Sequence, residues 1–303
     1  MDPVRVMQVG NMRIIHGLDE ITETSRGWLA GGPVGFIPTS GALHAGHASL
    51  IQAARQECEY SIVSIFVNPL QFGQDEDPAL YPHDLARDLA FLDSEQVDVV
   101  FLPRVEDMYP PNFSTYVTPS GPVAERLEGA FRPERLRGYA TIITKLFQLV
   151  RPDVAYFGQK NAQHVALVQQ LVRDLNIDVK VQVLPTVRDT DGLALGGAYT
   201  GSPDHLLSPP ERQAAARLYQ ALLAGKALIE GGERRLAFIE QAMTGVTTGI
   251  QVEYVTACDP STFEHPGDTL PANPTNLLLV IAARVGALRL TDNILLRDGR
   301  WQI

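Results

Sequence analysis

Val34-Gly-Phe-Ile-Pro-Thr-Ser-Gly-Ala-Leu-His44-Ala-Gly-His47-Ala-Ser-Leu-Ile51 reads as three elements in succession. An apolar run ends at Pro38, small residues follow, and two histidines three apart open a segment with helical spacing. The pattern is strand, tight loop, helix N-terminus. At such a junction the unpaired backbone N–H groups and the helix dipole favour an anion, and glycines let a phosphate approach the main chain closely. Histidines at i and i+3 share one side of the first turn, so both imidazoles are able to donate to the same oxygens. The spacing suits a capping or solvated pair equally well, and from these residues alone both readings stand open.

Working outward, strand-length apolar runs recur at Val34–Thr39, Ser61–Val67, Val97–Pro103, Val154–Gly158 and Val179–Val187. Helical periodicity fills the gaps at His47–Cys58, Leu80–Ser94, Gly138–Arg151 and Ala162–Asn176. This alternation predicts an α/β fold, a Rossmann-like parallel sheet with helices on both faces, whose ligands sit at the carboxyl ends of the strands. Candidate residues fall there: His44 and His47 after the first run, Asn68 and Gln71 after the second, Lys160 after the fourth. Beyond about Arg188 the character changes to a turn-rich loop, a helix start with Ser208 as its cap, two amphipathic helices and strand-like runs at Gln251–Ala257, Asn276–Val285 and Ala287–Leu290. The expected division is residues 1–187 for the Rossmann-like domain and 188–303 for a smaller α+β domain.

The chain of 303 residues has ordinary hydrophobic content, and its formal charge of −10 disfavours a general nucleic-acid or anionic-membrane surface. Cys58 and Cys258 match no metal or redox spacing, which points to a reducing compartment. No apolar run reaches the roughly 20 residues of a bilayer span, and Met1–Met12 lacks the features of a signal peptide, so a cytoplasmic protein is expected. His16 and His83 stand without partners at ligand spacing and read as surface or packing residues.

Several stretches together resemble the pantothenate synthetase (pantoate–β-alanine ligase) family of nucleotidyltransferases with the HxGH signature. They are Pro38-Thr-Ser-Gly-Ala-Leu-His-Ala-Gly-His47, Ser64-Ile-Phe-Val-Asn-Pro-Leu-Gln-Phe-Gly73 and Tyr81-Pro-His-Asp-Leu-Ala-Arg-Asp88, then Gly138-Tyr-Ala-Thr-Ile-Ile-Thr-Lys-Leu-Phe147, Pro152-Asp-Val-Ala-Tyr-Phe-Gly-Gln-Lys160 and Arg188-Asp-Thr-Asp-Gly-Leu-Ala-Leu195. The resemblance implies an AMP-forming ligase that joins a small carboxylic acid to an amine through an acyl-adenylate, with ATP and Mg²⁺. It implies that His44, His47 and Lys160 hold the phosphates, with Thr39, Ser40, Gly46, Gly158, Asn161 and Arg132 around the nucleotide. Asn68, Gln71 and His164 fall at the acid pocket, Asp88 falls beside Mg²⁺, and a homodimer is the family's usual assembly.

Five places depart from the family pattern. Ser40 replaces a methionine, Asn161 an aspartate and His164 a glutamine. Glu134-Arg-Leu replaces Gly-His-Phe, and Gly196-Gly-Ala-Tyr-Thr-Gly-Ser-Pro-Asp-His205 replaces a shorter Ser-Ser-Arg-Asn loop. The loss of that arginine and of the two serine hydroxyls subtracts about 2–5 kcal/mol of transition-state stabilisation unless another group compensates. Arg135, Arg137, and Ser202 or His205 beyond Gly196 and Gly197 are the candidates. From these departures the sequence predicts a ligase with an altered acid, amine or both. The alternatives are an authentic pantothenate synthetase and a nucleotide-pocket protein that no longer adenylates.

Overall fold

Strand β3 (Val34–Thr39) lies near the middle of a seven-stranded sheet in the order β1-β2-β5-β4-β3-β6-β7. Its neighbours are β4 (Tyr60–Ile65) and β6 (Val154–Gly158), and β5 (Val99–Phe101) and β7 (Lys180–Leu184) extend the sheet on either side. These strands and β2 (Met12–Ile15) run parallel, and only β1 (Met7–Val9) pairs antiparallel, at the edge. The computed structural model describes residues 7–28, 31–72, 84–197 and 207–303. Val34, Phe36 and Ile37 are wholly buried, because helices cover both faces of the sheet. That is why β3 reads as a continuous apolar run rather than as an alternation.

The helices are α1 (Leu18–Trp28), α2 (Ala45–Glu57) and α3 (Leu85–Ser94), three single turns α4 (Val105–Met108), α5 (Pro122–Glu125) and α6 (Glu128–Phe131), then α7 (Pro133–Val150) and α8 (Ala162–Asp174). From β3 the chain winds outward through α2, β4, α3 and β5, then returns to place β6 on the other flank of β3. The reversal of direction between β3 and β6 opens a crevice at their carboxyl ends. Helix α3 begins at Leu85 with Asp84 as its cap, five residues later than its periodicity suggests, and α7 begins five residues earlier. Residues 73–83, which include Tyr81 and His83, lie outside the described residues.

The C-terminal part packs α9 (Pro209–Glu230) and α10 (Leu236–Val246) against an antiparallel sheet in the order β11-β10-β9-β8. Its strands are β8 (Gln251–Cys258), β9 (Leu277–Val285), β10 (Leu288–Arg297) and β11 (Arg300–Gln302). Ser208 caps α9 as expected, its backbone N–H donating to Glu211 at 2.9 Å. Strand β9 is covered on both sides: Leu277, Leu279, Ile281 and Ala283 pack with α9 and α10, whereas Leu278 and Val280 pack with Leu136, Ala140 and Leu167 of α7 and α8. Strand β10 runs seven residues past the expected end at Leu290, because Asp292 and Asn293 are buried strand residues rather than a turn. No helix among the described residues is long and apolar enough to cross a membrane.

Candidate active site

His44 is the N-cap of α2 and is extended (φ −152°), and His47 occupies the third helical position. Each imidazole uses its Nδ1 as an acceptor. Gly46 N–H donates to His44 Nδ1 at 3.1 Å, and His44 N–H donates to His47 Nδ1 at 3.3 Å. A ring nitrogen that accepts carries no proton, so each neutral ring holds its proton on Nε2. The rings lie 4.2 Å apart, centre to centre. Burial pushes the His44 imidazole down to about 2, with His47, Lys160 and Arg87 adding to the effect, and burial takes His47 down to about 4. The two sequence readings therefore merge: the pair caps the helix through Nδ1 and offers two neutral Nε2–H donors. Gly46 fits no larger residue, since a Cβ there would stand 2.8 Å from His44 Cε1.

The loop ahead of the histidines is held by Asp88 of α3. Its two carboxylate oxygens accept the N–H groups of Ala42 and Leu43, each at 2.8 Å, and the side chain is buried. Gly41 adopts φ +81°, and a Cβ would stand 2.9 Å from Asp88 Oδ2. Thr39 closes the start of the loop, its hydroxyl donating to Ser64 O at 2.7 Å and accepting from Gly41 N–H at 3.3 Å. Asp88 thus anchors the loop ahead of His44 through both carboxylate oxygens. Among the described residues no three His, Cys, Asp or Glu side chains gather to hold a cation, so the protein groups do not fit a magnesium ion held by protein alone.

Across the crevice, Lys160 sits on the 3₁₀ turn Gln159–Asn161 between β6 and α8. Burial lowers its ammonium pKa, Asp292 opposes that shift, and Arg135 and Arg188 reinforce it. The Lys160 charge also acts on His44, so the ammonium and the capped imidazole pair belong to one electrostatic neighbourhood. His164, one turn into α8, lies against the Tyr139 ring at 4.3 Å between centroids. Its Nε2 is buried with no hydrogen-bond partner among the described residues. Burial and then Arg135 push this imidazole down to about 3. Arg137, the other candidate replacement for the missing loop arginine, lies over the Tyr116 ring at 4.8 Å. Of the two, Arg135 is the one whose charge acts on Lys160 and His164.

On the acid side, Asn68 is buried and largely committed. Its Nδ2 donates to Gly138 O at 3.0 Å, while its Oδ1 accepts from Leu70 N–H at 3.3 Å and from the Tyr109 hydroxyl at 2.7 Å. Those bonds fix the 3₁₀ turn Pro69–Gln71, on which Gln71 is half-buried. Gly138 permits the approach, since a Cβ there would fall 2.0 Å from Leu70 O. Ser40 is half-buried in the loop, Gly158 ends β6, and Asn161 is exposed at the start of α8. Arg132 stands where α6 meets α7. Gly196 is buried and Gly197 half-buried, and Ser202 and His205 lie outside the described residues.

Two groups at the site have no counterpart in the sequence reading. Arg188 makes a bidentate pair with Asp292 (2.7 and 3.0 Å), and Glu128 of α6 pairs with Arg289 of β10 (2.6 and 2.7 Å) and accepts from the Tyr254 hydroxyl at 2.6 Å. Burial works against the Glu128 charge, but Arg289 keeps its pKa below the usual carboxylate range. The available signal was the Asp292-Asn293 step directly ahead of the apolar run Ile294-Leu-Leu296.

The family model described as pantoate-beta-alanine ligase matches residues 13–295. The chain belongs to this family. Its members are ATP-dependent, AMP-forming ligases. The pantothenate synthetase of Heliobacterium modesticaldum is 45% identical over 93% of this chain and 99% of its own length, and that of Thermosipho africanus 43% over 94% and 100%. Among solved structures, the pantothenate synthetase of Thermus thermophilus superposes with a TM-score of 0.84 at 39% identity, covering 93% of this chain and 98% of that one. The pantoate-beta-alanine ligase of Francisella tularensis, solved with beta-gamma ATP and beta-alanine, superposes with a TM-score of 0.74 at 31% identity, over 93% and 97%. These likenesses favour the unaltered family reaction over the altered acid or amine expected from the five departures.

Proposed function

We propose that the chain is a pantothenate synthetase, condensing pantoate with β-alanine at the expense of ATP, and that residues 1–187 hold nucleotide and acid while 188–303 form the smaller closing domain. The observation that carries this reading is the convergence of the capped His44–His47 pair and Lys160 at the crevice between β3 and β6. The substrates are those of relatives that match it from end to end, with the ATP analogue and β-alanine of the Francisella complex in support. A pantoate carboxylate oxygen attacks the α-phosphorus of ATP, the bond to pyrophosphate breaks, and the acyl-adenylate forms. The amine of β-alanine then attacks the acyl carbon, and AMP leaves with the bonding pair.

In this scheme the Nε2–H groups of His44 and His47 donate to phosphate oxygens as charge builds on them, and Lys160 supplies the positive charge. Little covalent help is required of the protein in such a transfer, so positioned donors set the rate. Neutral imidazoles suit the task because they add hydrogen bonds without a titration near pH 7. Gln71 and His164 meet the acid, Arg135 stands in for the missing loop arginine, and Asn161 lies at the exposed rim. A divalent ion, bound by the triphosphate itself, would neutralise part of its charge.

ATP–pyrophosphate exchange tests the proposal. Exchange that depends on pantoate, together with pantothenate formation once β-alanine is added, is the expected result. Exchange driven by another small acid and not by pantoate would restore the altered-substrate reading. Nucleotide binding without exchange on any acid would point to a protein that has lost adenylation.

A further inference from the structure

The turn that carries Lys160 is held from outside its own sheet. Asn293 of β10 donates through Nδ2 to two carbonyls of that turn, Gln159 O at 3.1 Å and Lys160 O at 2.9 Å, and its Oδ1 accepts from Gln159 Nε2 at 3.1 Å. Both protons of one buried amide are thus spent on the backbone on either side of the lysine Cα. Asn293 is itself fixed. Its N–H donates to Asp292 Oδ1 at 2.7 Å, and Asp292 is gripped by Arg188, whose guanidinium also reaches Asn293 O at 3.1 Å and lies 3.9 Å from the Tyr219 ring centre. Asp292 and Asn293 are 5% and 4% exposed, so this hydrogen bonding is formed away from water. In such surroundings water does not readily replace the lost donors, and the turn is free to shift.

We propose that Asn293, braced by the Asp292–Arg188 pair, is a positioning residue for Lys160, so that the antiparallel sheet of the C-terminal part completes the phosphate site of the parallel sheet. The proposal rests on the reading of Lys160 as a phosphate-binding group. A lysine ammonium displaced by an ångström from a transferring phosphoryl group forfeits much of its effect, of order 100-fold in rate. Asp292 also favours the charged form of Lys160, so the same strand bears both on the turn and on the ammonium it carries.

A double-mutant cycle on the full chain tests this. Pantoate-dependent ATP–pyrophosphate exchange is measured for the native chain, Asn293→Ala, Lys160→Met and the double variant, with thermal unfolding recorded for each. Asn293→Ala is expected to lower kcat for exchange about 10- to 100-fold in the native background and by no more than about twofold where Lys160 is already Met. An equal loss in both backgrounds would mean that Asn293 acts through general stability, and a loss under twofold in the native background would likewise overturn the proposal. Full exchange by Lys160→Met alone would instead remove the assignment of Lys160. Should Asn293→Ala fail to fold, Asn293→Ser, which keeps one donor, goes through the same cycle under the same criteria.

Discussion

In the proposed reaction His44 performs two tasks with two different ring nitrogens, capping through Nδ1 and donating to phosphate through Nε2, and substitution separates them. Asparagine is among the best N-cap residues, so His44→Asn keeps an acceptor for Gly46 N–H and removes only the Nε2–H donor. His44→Ala removes both. The cap is worth about 1 kcal/mol, and a single donor aimed at developing oxyanion charge about 3–4 kcal/mol, or two to three orders of magnitude in rate. His44→Asn is therefore expected to unfold in urea within a few tenths of a kcal/mol of the native chain, while pantoate-dependent ATP–pyrophosphate exchange falls about 100- to 1000-fold. His44→Ala should show the same loss of exchange and an additional destabilisation of about 1 kcal/mol. If His44→Asn retains exchange within threefold of the native chain, Nε2 does not meet the phosphates and the imidazole pair is a cap alone.

Three further outcomes follow from the geometry. Arg135→Met is expected to slow exchange about 10- to 100-fold, whereas Arg137→Met, which gives up only its place over Tyr116, should change it less than threefold; equal effects would cancel the assignment of Arg135. His164 is held neutral by burial, down to about 3 against 6.5 unfolded, so the unfolded chain takes up protons below pH 6.5 that the native chain refuses. Its share of stability is complete above pH 6.5 and is lost as pH falls towards 3; at pH 5 this amounts to up to about 2 kcal/mol, and His164→Gln should lose that much less than the native chain between pH 7 and pH 5 in denaturant titrations. Asp88→Asn places an amide among loop N–H groups and should destabilise by about 1–3 kcal/mol while leaving the magnesium concentration for half-maximal exchange within twofold; a tenfold rise would return Asp88 to the metal.

The centre of the fold was legible because β3 is buried on both faces and the following helix announces itself by two histidines and a run of apolar positions. The first two strands and α1 went unread, and the single turns α4 to α6 are too short to show any period. The anchoring role of Asp88 went unread for a different reason. Its partners are the amides of Ala42 and Leu43, and a contact spanning 45 and 46 residues leaves no mark in either local pattern. Asp292-Asn293 looked like the end of a strand because buried polar residues resemble turn residues until their partners are known. The altered-substrate expectation placed all five changes against the acid and phosphate pockets. Asn161 proves to be exposed, Arg137 is engaged with Tyr116, and the charge of Arg135 reaches the two groups it would need to reach.

Strand β9 has no face of its own to show to water. A gene fragment ending at residue 187 would leave the greasy flank of α7 and α8 bare where Leu278 and Val280 now rest, and such a fragment should precipitate rather than survive as a miniature nucleotide binder. Heating the intact chain should correspondingly melt both halves together, in one calorimetric peak.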